Sequence, residues 1–558
     1  MKALLRTHWM SVVFAIFAGF IMVAPQLFFI HKLDNAYHGI YMLRTDAETH
    51  YLSRMKELYD GHLWGNPFLA EFKDKQHSIS FILVELILAV PGYVFGVGVV
   101  NLNLIYKFLF PAVIFILGYA LVWRIARDKW AGVAAGSLIT LGYNIMTFAG
   151  WQHLVKWEYA YTQFALYSRP VSPEVSVLVF LECLILIYSL WQSPSWRVTG
   201  LVGLIFGFSF YVYFFLWVFL SALFGVFLLV LVRDRRFKYF LAAFLGGLAI
   251  GVPVLAFMFQ ASRSPLFGPL SFLLGVIHDR SWHIGFLSIA VCLFLIFLVF
   301  KKYLNRSVGL FLGLLTLTTL GVLVQNVVTN IKIQEGHFHW YFNVPIYAII
   351  IAVGVSAWLA DKPVFKKVIF GILICSSFLN GWLVQTSSYS ANYEQYAKIQ
   401  DAGAVFDWLN TNSPRDSVVL SNEPISELVP IYTHNNVFWN AYASLYLSPI
   451  ETIEYRLFYL LNLNGYLGTQ SDVVMRQDLV NLSKTKTEIN GIYGGDMPAI
   501  YSSGLAQRYQ NFLKNFKNIQ MRYKLDYILA DQRTNHWKIP TGAEVVYNKN
   551  SYTIYKIR

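Results

Sequence analysis

The sequence has few charged residues and few cysteines. Asp, Glu, Lys and Arg make up only 13% of its 558 residues, about half of the roughly 25% found in soluble domains. Together with a hydrophobic content of 56% and many long apolar runs, this deficit excludes a soluble globular protein and indicates a multi-pass helical membrane protein. The three cysteines, Cys183, Cys292 and Cys375, all lie inside apolar runs, so we expect neither a disulfide framework nor a CxxC site.

The net charge of +13 does not favour a nucleic-acid partner, because the basic residues cluster at the ends of apolar stretches. Such clusters occur at 124–129, 233–236, 301–306 and 362–367. Cytoplasmic loops of membrane proteins are enriched in Lys and Arg, which places all four clusters and the N-terminus inside the cell. We therefore expect membrane lipid, and no nucleic acid, to be the partner of these residues.

Apolar stretches recur along the first 385 residues. They lie near 9–30, 79–98, 101–123, 130–150, 174–192, 199–214, 215–232, 239–259, 283–300, 307–328, 342–360 and 367–385. All four basic clusters lie on the same side of the membrane only if one of the apolar stretches before residue 124 does not cross the membrane. We predict that this stretch is 79–98, which contains Glu85 and the pair Pro91-Gly92. The remaining stretches give about eleven transmembrane helices, a cytoplasmic N-terminus and a C-terminus outside.

The composition changes near residue 386, where polar residues and charges of both signs become common. We predict a membrane domain over 1–385, with an outer loop at 31–78 and a juxtamembrane segment at 79–98. A helical pattern and short β-branched runs follow in 386–558, so this region is predicted to be an extracytoplasmic α/β domain. The compact loops and the lack of a disulfide framework favour a bacterial inner membrane.

An acidic cluster, RTDAETHY at residues 44–51, follows the first apolar stretch and opens the predicted outer loop. Transfer of a sugar from a polyprenyl phosphate needs a carboxylate that orients the acceptor hydroxyl and takes its proton. It also needs cations or hydrogen-bond donors that meet the charge growing on the phosphate. Asp46 and Glu48 could supply the acidic side. A charged loop or a helix cap would explain the same residues without catalysis.

This arrangement resembles the GT-C superfamily of membrane glycosyltransferases, which includes protein mannosyltransferases, aminoarabinose transferases and oligosaccharyltransferases. The resemblance implies that Asp46 is the catalytic base or orients the acceptor, with Glu48 assisting. It implies a second acidic residue in the next outer loop, for which Glu158 is the candidate. The implied donor is a polyprenyl-phosphate sugar, and the implied acceptor is a hydroxyl of a glycan, lipid or protein. A divalent metal, Mg²⁺ or Mn²⁺, is used by some members and not by others.

Basic and histidine side chains in the outer loops are candidates for contact with the donor phosphate or sugar. Arginine matches a phosphate with a planar fork of donors, and two histidines stand at alternate positions in QEGHFHWY, residues 334–341. The alternatives are a loop salt bridge and an aromatic belt at the membrane interface. The candidates are Arg44, Arg169, Lys332, His337 and His339.

Other functions fit part of the same pattern. Glu85 and Glu182 lie in apolar runs, where a charged side chain costs about 3 kcal/mol, so they could carry protons in a secondary transporter or a lipid flippase. No paired broken helices or inverted repeat accompany them. A polymerase or ligase of lipid-linked glycans, or a non-catalytic relative, also remains open.

Overall fold

The computed structural model describes residues 2–43, 47–73, 81–157, 159–268, 271, 276–469, 471–475, 504–519, 523–533 and 537–557. Its N-terminal part is a helical bundle. The helices are α1 (Lys2–Leu33), α2 (Glu48–Tyr59), α3 (Leu83–Phe95), α4 (Val99–Ala126), α5 (Lys129–Thr140), α6 (Phe148–Lys156), α7 (Val175–Gln192), α8 (Trp196–Val212), α9 (Phe214–Leu231), α10 (Phe237–Ser262), α11 (Phe286–Phe300), α12 (Arg306–Thr329), α13 (Glu335–Phe338), α14 (Val344–Trp358) and α15 (Pro363–Lys398).

The structure confirms the predicted class of fold, a multi-pass helical membrane bundle. Among the described residues, eight helical stretches are long and apolar enough to cross a membrane, and α3, α8 and α11 are shorter apolar helices. The predicted count of eleven therefore stays a prediction. α3 has 13 residues, about 20 Å at 1.5 Å per residue, which is less than the roughly 30 Å hydrocarbon core.

The apolar stretch 130–150, predicted as one span, is divided in the structure. α5 ends at Thr140, and Asn380 Nδ2 donates a hydrogen bond of 2.6 Å to the carbonyl of Leu141. α6 begins only at Phe148, where the Thr147 hydroxyl accepts from the amide of Gly150 at 3.1 Å. The helix is interrupted because polar side chains satisfy the backbone groups at both new ends. Hydrophobicity alone does not reveal such partners.

The C-terminal region is an α/β unit, as predicted. Helices α16 (Ala402–Asn412), α17 (Ile425–Tyr432), α18 (Ile450–Leu463) and α19 (Leu505–Ile519) accompany strands β1 (Val418–Leu420), β2 (Asn436–Val437), β3 (Tyr527–Asp531), β4 (Glu544–Lys549) and β5 (Tyr552–Lys556). The sheet order is β2-β1-β3-β5-β4, with β1 parallel to β2 and β3, and β5 antiparallel to β3 and β4. The helix α15 runs through position 385 without a break, so the bundle and the α/β unit share one continuous helix.

The α/β unit holds the outer loop on both sides of the acidic cluster. Before the cluster, Tyr396 Oη donates to the Leu43 carbonyl at 2.9 Å. After it, the buried Lys73 lies 2.5 Å from Asp416 Oδ1 and 3.3 Å from Glu57 Oε2. These contacts place the described parts of the loop, 31–43 and 47–73, between the helical bundle and the α/β unit.

We predict that Lys73→Met destabilises this junction strongly. It would leave Glu57, whose pKa is already raised by burial against the opposing charge of Lys73, without its cation. Removing one partner of a buried pair costs about 3 to 5 kcal/mol. The thermal unfolding midpoint in detergent should fall well below that of Lys56→Met, which removes only the i,i+4 pair with Asp60, worth about 0.5 kcal/mol. Equal midpoints for the two variants would contradict this assignment.

Candidate functional site

The helix α2 carries polar residues on buried positions. It begins at Glu48, after Ala47 in the left-handed region with φ 54°. Its buried polar residues are Glu48, Thr49, His50, Ser53, Arg54 and Glu57. A surface helix would turn such residues to water, but α2 lies between the bundle and the α/β unit, where Thr49 Oγ1 donates to Glu427 Oε2 at 2.9 Å. The polar face of α2 therefore points into the protein.

Glu48 forms a buried ion pair with a lysine of the bundle. Lys107 Nζ of α4 lies 2.5 Å from Glu48 Oε1, and both side chains are at most 2% exposed. Asn103, one turn earlier on α4, donates its Nδ2 to the same oxygen at 2.8 Å. The sequence prediction had identified Glu48 but neither partner, because a single Lys within an apolar run carries no motif.

A second buried carboxylate, Glu174, faces the same charges. It is fully buried at the start of α7, and neither of its oxygens makes a hydrogen bond of good geometry to a described residue, although the Arg169 backbone acts on it. The charges of Lys107, Glu48 and Arg169 all act on it. A buried carboxylate without hydrogen bonds is unfavourable. Glu174 can therefore still accept hydrogen bonds from a ligand at this centre. The sequence analysis did not choose Glu174; its signal was an acid at the start of an apolar helix.

Arg169 lies at the same centre and is 6% exposed. Its Nε donates to the Ser172 carbonyl, and its Nη2 donates to Tyr341 Oη at 3.3 Å. Its guanidinium carbon lies 5.7 Å from the centre of the Tyr51 ring. The loop is fixed just before Arg169, since Gln385 of α15 accepts from the Ala165 amide at 2.9 Å. Arg169 thus lies beside α2, the helix that begins at Glu48.

The segment 334–341 is linked to Arg169 through Tyr341. His337 Nδ1 and Tyr213 Oη share a hydrogen bond of 2.6 Å, and the ring centres of His337 and Tyr341 are 5.3 Å apart. His339 instead packs its ring against Trp340 at 4.8 Å. His337 therefore belongs to the chain of side chains that ends at Arg169, whereas the ring of His339 contacts Trp340.

Lys332 belongs to a separate ionic network with Asp279, His283 and Glu335. Its Nζ lies 3.2 Å from Glu335 Oε1 and 3.5 Å from Asp279 Oδ2. His283 contacts the same Asp279 oxygen at 3.2 Å. Two carboxylates already neutralise Lys332, so its predicted role at the donor phosphate has no support from these contacts and stays a prediction.

Three predicted site residues, Arg44, Asp46 and Glu158, lie outside the described residues. The chain just before the first two is fixed, because Gln26 Nε2 donates to the Met42 carbonyl at 2.7 Å. A narrow recess borders this position. Its lining residues are Gln26, Tyr41, Leu43, Val100, Asn103, Leu104 and Lys107.

The described residues do not fit a divalent metal ion. Within the described ranges, no group of three or more His, Cys, Asp or Glu side chains is arranged to hold one. At the buried centre, the ammonium of Lys107 already supplies the positive charge beside Glu48.

The two carboxylates of the transporter alternative do not share an interior path. Glu85 is buried on α3 and pairs with Arg54 Nη1 at 3.1 Å. Glu182, in contrast, is exposed on the surface of α7. The ion pair of Glu85 links α3 to α2 and adds to the same buried polar layer.

Comparison with known proteins finds structures that align over almost the whole chain, but with low sequence identity and low TM-scores. No protein-family model and no curated protein matches the sequence. ArnT from Cupriavidus metallidurans, solved with bound undecaprenyl phosphate, aligns at 12% identity and a TM-score of 0.46, covering 99% of this chain and 98% of that one. The arabinofuranosyltransferase AftD from mycobacteria aligns at 12% identity and a TM-score of 0.49, covering 99% of this chain but only 40% of AftD. At these values neither likeness carries an argument about function, which rests on the contacts above.

We predict that Lys107→Met is more destabilising than the double variant Glu48→Gln, Lys107→Met. The single change leaves Glu48 buried without its cation, at a cost of about 3 to 5 kcal/mol. The neutral Gln of the double variant keeps the hydrogen bond from Asn103 and needs no cation. Thermal unfolding of the wild type, the two single variants Glu48→Gln and Lys107→Met, and the double variant completes a double-mutant cycle. Additive losses would show that the two side chains do not interact.

We also predict an acid-sensitive contribution from His50. Burial, with the charges of Arg54 and Arg169, holds the pKa of His50 well below 6.5. The unfolded chain binds a proton below about pH 6.5 while the folded protein does not, so stability falls as the pH drops from 6.5 toward the folded pKa, by up to about 1.4 kcal/mol per pH unit. His50→Gln should lose less stability than the wild type between pH 7 and pH 5. Parallel melting curves for the two proteins would contradict it.

Proposed function

We propose that this protein is a GT-C-type membrane glycosyltransferase. It would move a sugar from a polyprenyl-phosphate donor to a hydroxyl of a glycan, lipid or protein acceptor on the outer face of a bacterial inner membrane. The observation that carries the proposal is the buried centre in which Glu48 and Glu174 face Lys107 and Arg169. Carboxylates and cations meet there between apolar helices and the α/β unit, where a lipid-linked substrate would present its phosphate.

The chemistry follows from the charges of this centre. The acceptor oxygen attacks the anomeric carbon, the bond between that carbon and the phosphate oxygen breaks, and polyprenyl phosphate leaves. A carboxylate takes the acceptor proton; Asp46 has this role in the proposal, with Glu174 assisting from the start of α7. Glu48, paired to Lys107, holds that lysine in place rather than acting as the base.

The leaving phosphate needs positive charge that is already in position. Lys107 and Arg169 are both buried and both held by neighbouring side chains, so little reorganisation is needed when charge develops. His337 supports Arg169 through Tyr341. The proposed donor lipid is undecaprenyl or dolichyl phosphate, with its tail in the bilayer and its phosphate at this depth.

A secondary transporter or flippase remains the second candidate. It would use Glu85 and Glu182 as proton carriers. The pairing of Glu85 with Arg54 and the exposure of Glu182 on α7 favour the transferase instead, because proton carriers of a transporter face a common interior cavity.

We predict that the purified protein in nanodiscs transfers label from at least one of a panel of radiolabelled polyprenyl-phosphate sugars to mixed cell-envelope acceptors. Asp46→Asn, Glu174→Gln and Arg169→Lys should each lower the initial transfer rate by about 10²-fold or more, as losses of a general base or of a preorganised charge do. Arg169→Lys keeps the charge but removes the fork of donors.

The matched control is Glu182→Gln, which neutralises a carboxylate on the same helix as Glu174 but on its exposed side. It should transfer at the wild-type rate. Full activity of Glu174→Gln would remove that residue from the centre. Loss of activity in Glu182→Gln, with full activity in Glu174→Gln, would favour the transporter interpretation.

A further inference from the structure

Glu182 is an unusual residue because it exposes a carboxylate in the middle of a candidate membrane span. On α7 it belongs to a stripe whose other members, Val175, Leu178, Leu186 and Ser189, are half-buried. Glu182 makes no hydrogen bond or ion pair recorded for the described part of the chain. It is the exposed residue of a stripe that faces away from the bundle.

Glu182 lies near the middle of this candidate span. In α7 (Val175–Gln192) it follows the first residue by seven positions and precedes the last by ten, which is about 10 and 15 Å along the axis at 1.5 Å per residue. A carboxylate that faces hydrocarbon at that depth is strongly unfavourable. The cost is offset when a donor from another helix meets the carboxylate, because a polar pair inside the membrane satisfies both groups.

The next helix along the chain also exposes small and apolar residues. α8 follows α7 after a three-residue connection and runs back beside it. Its exposed positions include Gly200, with open space where a Cβ would lie, and Leu204, which is 54% exposed. Small residues beside a polar group are the usual composition of an interface between membrane helices.

A second copy of this chain does not supply the missing partner. On the described candidate spans, every Lys and Arg lies near a helix end except Lys107, which is buried against Glu48. Two copies related by a two-fold axis would also bring one Glu182 toward the other, and like charges repel in a low dielectric. Charge complementarity therefore requires a different chain.

We infer that the α7–α8 face around Glu182 binds a transmembrane helix of another protein that carries a Lys or Arg near the middle of the bilayer. The inference concerns a surface away from the buried centre and does not depend on the proposed function. The partner is defined by its chemistry: an apolar helix of about 20 residues with one central basic residue.

The test uses the full protein in lipid vesicles with a photo-crosslinking residue in place of Leu186, one turn from Glu182. The probes are two synthetic Leu/Ala transmembrane peptides that differ only by a central Lys or Leu. The Lys peptide should cross-link about tenfold more than the Leu peptide, the ratio expected for an interhelical polar contact of 1 to 2 kcal/mol. In Glu182→Gln the two peptides should cross-link equally.

A control position separates a site from simple attraction to the protein. Leu293, 61% exposed in the middle of α11, receives the same photo-crosslinking residue and should show no preference for the Lys peptide. Three results would overturn the inference: equal yields for both peptides at Leu186, an unchanged preference in Glu182→Gln, or the same preference at Leu293. Cross-linking of the protein to itself at Leu186 in place of the peptide would identify a second copy as the occupant and would also overturn it.

Discussion

The cost of placing charges out of water is the constraint on which the structure depends. The helix α2 carries Glu48, Arg54 and Glu57 in buried positions, and each has a partner from a different part of the chain: Lys107, Glu85 and Lys73. A buried charge that lost its partner would cost several kcal/mol. The bundle, α3 and the segment that carries Lys73 must therefore keep one arrangement, and the α/β unit closes it through Asp416. Buried pairs are weak sources of stability, but here they fix which segments meet.

Amide side chains set the position of the two outer loops relative to this layer. Gln26 of α1 exchanges two hydrogen bonds with the backbone of Met42, at 2.7 and 3.1 Å. Gln385 of α15 accepts from the Ala165 amide and donates to the Met22 carbonyl at 3.0 Å. Each glutamine is 2% exposed, so water does not compete for these bonds. The loop that leads to the acidic cluster and the loop that carries Arg169 are thus attached to rigid helices, which is how a site built on loops keeps its geometry.

The sequence predicted the membrane bundle, the division of 199–232 into two helices and the α/β character of the tail, because each depends on local hydrophobicity, length or turn residues. It did not predict the interruption after Thr140, since that depends on Asn380, more than two hundred residues away. Of the residues at the buried centre, it had named Glu48, Arg169 and His337 as candidates, and their roles stay predictions. It missed Lys107, whose role follows only from the packing of α4 against α2.

Glu174 and Glu182 show most directly why the sequence alone does not define the site. Both are single carboxylates in or beside one apolar stretch, and composition treats them alike. Eight positions of an α-helix correspond to a rotation of about 80° beyond two full turns, and this rotation decides their surroundings. Glu174 at the helix start turns inward to Lys107 and Arg169, whereas Glu182 turns outward. A carboxylate beside cations is consistent with chemistry on a phosphate. A carboxylate that faces hydrocarbon is consistent with binding of a partner helix. The difference is set by which faces of α7 the neighbouring helices cover, and that is a property of the assembled bundle.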